Sequence, residues 1–237
     1  MSTRMSPARA HRARVLAAQA FASSPAGGEV VGEAYELMQA QLVEHRRQLK
    51  GIQSLERKIE AKRAFLPVYK DWVQAAVEEG RGAQDQVLMT VLVWLIDVGQ
   101  IGDALYVARY AVEHGLSMPD QYDRNLPTVL LDEIGGAALA GKLTVAECIE
   151  YMQTVLDLTQ DADTPDQARA KVHKALGYAY MGRSGASEVD VGTVPVDAAK
   201  LALQHCRRAL ELFDQVGVKK DIERLERRLK TAGELSA

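Results

Sequence analysis

The sequence feature that most constrains the fold is a row of mainly apolar residues between positions 31 and 63, spaced alternately four and three residues apart. This spacing has the 3.5-residue period of a coiled coil, and it predicts one long helix over residues 29–66 that ends at Pro67. Such a helix would be about 55 Å long and would need a partner along its length, from a second copy or from the same chain. We expect self-association, through the apolar positions Val31, Tyr35, Met38, Leu42, Leu49, Ile52 and Ile59.

Charge divides the chain into a basic first part and an acidic remainder. Residues 1–70 contain 12 Lys or Arg and 6 Asp or Glu, whereas residues 71–237 contain 17 and 26. Residues 1–28 combine a short basic helix with a Ser/Pro/Gly-rich stretch, which is typical of a cationic arm on a flexible joint. Small domains also vary this much by chance, but the asymmetry favours contact with a polyanion. The candidate DNA-binding residues are Arg4, Arg9, Arg12, Arg14, Arg46, Arg47, Lys50, Arg57, Lys58 and Lys62.

The pattern beyond Pro67 is also helical. The apolar run over residues 87–96 predicts a buried central helix, and Thr144 with Glu147 forms a capping box that begins another. Residues 176–180 and 197–213 have the small/aromatic spacing of a tetratricopeptide-like hairpin. The sequence therefore predicts an all-α fold in four segments: a basic arm (1–28), a coiled-coil helix (29–66), a helical core domain (68–163) and a C-terminal helical hairpin (164–237).

Composition excludes several classes of protein. Cys148 and Cys206 are the only cysteines, which rules out a disulfide scaffold and suits a reducing cytoplasm. The longest apolar run is too short to span a bilayer, and the basic N-terminus lacks the apolar segment of a secretory signal. Residues 136–142 have the spacing of a phosphate-binding loop, but Leu143 stands where a Ser or Thr should hold magnesium. We expect no membrane contact, no metal site and no cofactor.

Aspartates at the junction of two predicted helices are the main candidates for catalysis. Metal-dependent nucleases need two or three converging carboxylates, and residues 157–166 are rich in aspartate. The same side chains suit a solvated helix cap, because the helix dipole favours acidic residues there. We therefore predict no catalytic residue, with a nuclease alternative at Asp157, Asp161, Asp163 and Asp166.

Seven short blocks in the sequence carry a resemblance to a known family: GAQD (82–85), DVGQIGDAL (97–105), ARYA (108–111), GLSMP (115–119), TPD (164–166), RAKVHKA (169–175) and GVKKDIERLER (217–227). With these blocks the chain resembles the GpM-type small terminase subunit of tailed bacteriophages over about residues 30–230. The resemblance implies viral genome packaging in the cytoplasm of the infected bacterial host. It also implies recognition of viral double-stranded DNA, a ring-like homo-oligomer, and recruitment of the large terminase subunit with its ATPase motor. Members of this family are also called the terminase endonuclease subunit.

The C-terminal segment offers a candidate docking surface for the large subunit. An apolar stripe along the mixed-charge run 219–230 could pack into a groove on that partner or, equally, onto its own domain. The stripe consists of Val218, Ile222, Leu225 and Leu229. Three functions therefore compete: DNA recognition with assembly, a metal-dependent endonuclease, and a helical-repeat adaptor that does not bind DNA.

Overall fold

The structure of the protein, a computed structural model, describes residues 7–120, 122–185 and 187–234. These residues are mainly helical and contain no β-strand, so the predicted all-α fold is confirmed. The chain forms two compact units, Met1–Asp123 (unit 1) and Arg124–Ala237 (unit 2). Their boundary lies inside the segment 68–163, which the sequence predicted to be one core domain. No helix in the described ranges is long and apolar enough to cross a membrane.

Unit 1 contains the helices α1 (Pro7–Ser23), α2 (Glu33–Lys50), α3 (Leu55–Glu79), α4 (Gln86–Asp97) and α5 (Ile101–Glu113). Helix α4 is central because it is apolar on nearly all sides and almost entirely buried. Its first turn is capped by the buried Asp85, whose carboxylate accepts hydrogen bonds from the backbone N–H groups of Val87 (2.7 Å) and Leu88 (3.0 Å). Trp72 Nε1 of α3 donates a third bond at 2.8 Å. Burial raises the pKa of Asp85 to about 6 despite these donors.

The prediction of one continuous helix over residues 29–66 is wrong. The helix is interrupted by the connection 51–54, where Gly51 follows α2 and the Ser54 side chain accepts a hydrogen bond from the backbone N–H of Arg57 (3.3 Å). A serine in this position competes with helix continuation, because its hydroxyl satisfies a free N–H at a new helix start. Pro67 does not end the helix either, since it lies inside α3. Its position is exposed, so the carbonyl that loses a partner can bond to water, while Leu66 and Tyr69 on either side are buried.

The apolar row of α2 has its partner within unit 1. Tyr35, Leu42 and Leu49 are buried in the single chain, and the Tyr35 ring stacks on Trp72 with centroids 5.7 Å apart. The hydroxyl of Tyr35 also accepts a hydrogen bond from the backbone N–H of Gln86 at 3.1 Å. A 3.5-residue spacing fits packing against α3 and α4 equally well as packing against a second copy. The buried part of the row therefore does not form a free coiled-coil seam.

Helix α1 is packed against α3, which corrects the expectation of an arm on a flexible joint for the described residues. Phe21 is buried, and its ring centroid lies 4.8 Å from that of Trp72. The stretch after the helix is held as well: Ser24 Oγ donates to the carbonyl of Ala20 (2.7 Å), and Arg81 Nη2 donates to the carbonyl of Ser24 (2.9 Å). These contacts fix the stretch as part of unit 1.

Unit 2 contains α6 (Leu126–Val129), a π-helical turn (Leu130–Ile134), α7 (Gly135–Leu139), α8 (Val145–Leu158), α9 (Asp166–Tyr180), a 3₁₀ turn (Val191–Thr193), α10 (Val196–Leu212) and α11 (Lys219–Thr231). Helix α9 packs against α8 on one side and α10 on the other. Gly177 permits the close approach of α10, because a Cβ there would lie 2.6 Å from Cys206 Sγ. The tetratricopeptide-like character of these helices stays a prediction.

The predicted docking stripe of α11 is buried inside unit 2. The side chains of Val218 and Leu225 are fully covered, and Ile222 and Leu229 are less than a tenth exposed. They belong to one apolar cluster with residues of α10 such as Leu203 and Cys206. These four residues therefore do not form a docking surface for the large subunit. An amphipathic helix needs an apolar partner, and here unit 2 itself supplies it.

Candidate DNA-binding surface

The predicted DNA-binding cations divide into those with an acidic partner and those without one. Three form ion pairs: Arg14 with Asp71, Arg47 with Glu44 and Lys62 with Asp97. The Arg47–Glu44 pair is bidentate at 2.8 Å for both bonds, and it lowers the pKa of Glu44 to about 2. A cation that already neutralises a carboxylate offers less attraction to a phosphate. Arg4 and the side chain of Arg9 lie outside the described residues.

The cations without a partner concentrate at the junction of α2 and α3. Arg46 and Lys50 occupy the last turns of α2, and Arg57 and Lys58 occupy the first turn of α3. None of the four has an ion pair or side-chain hydrogen bond within the described part of the chain. We call these four residues and the connection 51–54 the basic bend. Arg12 of α1 is a further exposed cation of this kind.

The basic bend joins the C-terminus of α2 to the N-terminus of α3. Helix α3 begins here, and its first turn is capped by Ser54: the N–H of Arg57 donates to Ser54 Oγ (3.3 Å) and that of Lys58 to the Ser54 carbonyl (3.0 Å). The dipole of α3 places partial positive charge at this end, and the C-terminus of α2 places partial negative charge on the other side of the bend. Arg47 of this segment is neutralised by Glu44. Glu56 is the one acid over residues 46–58 against the four unpaired cations, so their charge favours an anion.

Paired cations and a buried histidine hold the two helices of the bend in place. Lys62 and Arg63 of α3 contact the end of α4: Lys62 pairs with Asp97, and Arg63 Nη2 donates to the Val98 carbonyl (3.3 Å). His45 of α2 is buried, stacks on Phe65 and is within 2.8 Å of the Tyr69 hydroxyl. Burial lowers the pKa of His45, which favours the neutral ring. Lys62 and Arg63 therefore hold α3 against the end of α4, and His45 holds α2 against α3.

The aspartates proposed for a nuclease do not form a metal site. Asp157, Asp161, Asp163 and Asp166 are exposed and extend from the last turn of α8 to the start of α9. Within the described ranges, no three His, Cys, Asp or Glu side chains are grouped closely enough to hold a metal ion. Metal-dependent cleavage requires such convergence. The positions of the four aspartates therefore fit the alternative explanation, a solvated junction between two helices.

An ion network near the π-helical turn was missed at the sequence level. Asp132 accepts hydrogen bonds from Arg124 (3.0 Å) and from Lys171 (2.7 Å), and Arg124 also donates to Glu133 (2.7 Å). The two cations lower the pKa of Asp132 against the opposing effect of its burial. The adjacent Asp132 and Glu133 were the only hint of this network in the sequence. Their partner Lys171 could not be identified from the sequence, because it is 39 residues from Asp132. Both carboxylates are already neutralised by cations, so this network links α9 to the turn.

The large apolar side chains exposed on α2 and at the start of α3 differ from the predicted oligomerisation residues. Of the predicted set, Val31 is exposed, whereas Met38, Ile52 and Ile59 are half-buried. The most exposed large apolar residues are instead Leu37 (64%), Val43 (65%) and Leu55 (72%). They fall outside the 3.5-residue row, so the periodicity could not predict these exposed apolar side chains.

Comparison with known proteins gives one family and two informative relatives. The sequence matches the family described as phage small terminase subunit over residues 39–167, which include the basic bend. It is 41% identical over 227 residues to a protein of Escherichia phage P2 named "Terminase, endonuclease subunit", covering 95% of this chain and 86% of that protein. A "Probable terminase, endonuclease subunit" of Haemophilus phage HP1 (strain HP1c1) is 28% identical over 204 residues, covering 84% and 71%. No solved structure matches the chain.

Proposed function

Because this chain belongs to the phage small terminase subunit family, we propose that it acts in viral DNA packaging by binding double-stranded DNA through the basic bend. It works in the cytoplasm of the infected bacterial host, where it forms a ring-like homo-oligomer and recruits the large ATPase subunit of the terminase. The observation that supports this most is the set of four unpaired cations around the start of α3. Family membership supports viral DNA as the polyanion that these cations bind.

The strength of the proposed contact follows from the number of phosphates that one protomer can reach. Four cations at the bend allow about four phosphate contacts, which supports weak, salt-sensitive binding on the order of 10⁻⁴ to 10⁻⁶ M. Several protomers in one oligomer make later contacts intramolecular, and this avidity adds about 10² to 10⁴ in affinity. The proposal therefore requires self-association, and the exposed Leu37, Val43 and Leu55 are apolar surface available for it.

Endonuclease activity is the second candidate function, favoured by the names of the two phage relatives. This chain offers the exposed Asp157, Asp161, Asp163 and Asp166 for it, and they do not converge on a common point. We therefore place DNA recognition first and cleavage second. The helical-repeat adaptor would leave the unpaired cations of the bend without a role.

A gel-shift experiment on linear double-stranded DNA, with and without magnesium, separates the three functions. DNA recognition predicts a shift that weakens steeply with salt and intact DNA in both conditions. Cleavage that needs magnesium, and that Asp161→Ala with Asp163→Ala abolishes, would establish the endonuclease instead. If the protein is a folded oligomer by native mass spectrometry but neither shifts nor cleaves the DNA, the adaptor function would be favoured.

A further inference from the structure

The outer face of α11 is a second concentration of unpaired cations, in unit 2. Helix α11 has six Lys or Arg against three Asp or Glu, whereas the rest of residues 124–237 has nine against fourteen. Five of the six are exposed and have no ion pair or side-chain hydrogen bond in the described part of the chain: Lys219, Lys220, Arg224, Arg227 and Lys230. The sixth, Arg228, donates to the Val194 carbonyl at 3.1 Å. The helix therefore carries excess positive charge on the surface of an acidic unit.

Helical geometry places these cations opposite the buried stripe. Lys220, Arg224 and Arg227 follow one another by four and three residues, so they lie on one face of the helix. Residues 219 and 230 border the same face, on which Glu223 is the exposed acid of α11 itself. Three exposed acids of neighbouring segments line the clefts beside it: Glu188, Asp190 and Asp214. The apolar stripe through Leu225 is fixed inside unit 2. This orientation holds the cations outward as a row along about three helical turns.

The chemistry of this face fits the phosphate backbone of DNA better than a protein surface. Protein interfaces depend on buried apolar or aromatic anchors surrounded by a polar rim. Every large apolar side chain of α11 is buried, so its outer face has no such anchor. Rows of Lys and Arg with long side chains are suited to phosphates, because phosphate contacts depend on charge and need little shape complementarity.

We propose that the outer face of α11 is a second DNA-binding surface, which contacts the phosphate backbone through Lys219, Lys220, Arg224, Arg227 and Lys230. The inference extends the proposed function and rests on it only for the identity of the polyanion. Each protomer then contacts DNA through unit 1 at the basic bend and through unit 2 at α11. The contacts of α11 are independent of base sequence, because none of them needs a base edge.

Four full-length proteins test this second surface: the wild type, a bend variant (Lys50→Gln, Arg57→Gln, Lys58→Gln), an α11 variant (Lys220→Gln, Arg224→Gln, Arg227→Gln) and the combination. Salt titration of DNA binding counts the phosphates engaged. The α11 variant should flatten the slope of log K against log salt by about 2.7 if all three cations contact phosphates, and it should do so in either background. A control with Lys70→Gln, Lys142→Gln and Arg208→Gln removes the same charge at positions outside the bend and α11, and it should leave the slope unchanged.

Lysine acetylation of the wild-type protein, read by mass spectrometry, provides a second measurement that needs no substitution. DNA should protect Lys219, Lys220 and Lys230 and leave Lys142 reactive. An α11 variant with the wild-type slope and unprotected lysines would overturn the proposal. If that variant bound DNA normally but no longer pulled down the large subunit, the face would be a protein-binding surface instead. Failure of the bend variant to change the slope would count against the proposed function and leave the α11 result intact.

Discussion

Replacing Lys50, Arg57 and Lys58 with glutamine should remove three of the four free cations of the basic bend without disturbing unit 1. Each phosphate that the protein no longer neutralises reduces the slope of log K against log salt by about 0.9, so the slope should flatten by about 2.7 per bound protomer. If wild type and variant bind equally at 1 M salt, this slope corresponds to about 500-fold weaker binding at 0.1 M salt. None of the three side chains is buried or paired, so the fold should be retained.

Fluorescence anisotropy of a labelled DNA duplex across a salt series measures the slope, and circular dichroism checks the fold. The Lys70→Gln, Lys142→Gln, Arg208→Gln protein provides the matched control, because it loses the same formal charge. Equal reductions of affinity in the two proteins would mean that net charge, rather than the bend, governs binding. A bend variant with the wild-type slope would refute the assignment of the bend as a DNA contact.

Three further predictions concern the fold that holds the surface. The folded-state pKa of Asp85, about 6, exceeds the ordinary value of 3.8, so unfolding free energy should fall by up to about 3 kcal/mol as pH rises from about 4 to 6. Chemical denaturation should show this fall in the wild type and not in Asp85→Asn. Gly177→Ala should cost about 1–3 kcal/mol by overpacking against Cys206, and Cys206→Ala should relieve part of that cost in thermal melts. Leu42→Ala should cost about 2–5 kcal/mol in urea denaturation because Leu42 is buried, whereas Leu37→Ala should stay within about 0.5 kcal/mol because Leu37 is exposed.

The all-α class followed from helical periodicity, but the partners of the helices did not. The row from Tyr35 to Leu49 has the same spacing whether it packs on a second copy or on α3 and α4. Gly51 and Ser54 indicate a helix break, whereas the regular apolar spacing that continues across them predicts one continuous helix. Pro67 predicted a helix end but lies inside α3, because a proline on an exposed helix face is tolerated where buried neighbours hold the helix in place. Periodicity therefore predicted elements more reliably than boundaries or partners.

The candidate surface was predicted as a set of charges and not as a site. Sequence alone could not separate paired from free cations, because Arg14 meets an acid 57 residues away and Lys62 meets one 35 residues away. The same limitation affected α11, whose apolar stripe was the predicted docking surface. The structure buries that stripe and leaves the cations exposed.

Site-specific photo-crosslinking at the basic bend tests the central claim most directly. Gln53 is exposed in the middle of the connection, and Gln160, exposed beyond the end of α8 in unit 2, provides a control position. With p-benzoylphenylalanine at either position in the full-length protein, irradiation in the presence of duplex DNA should yield a covalent DNA adduct from position 53 and none from position 160. An adduct from position 160 alone, or equal yields from both, would contradict DNA binding through the basic bend.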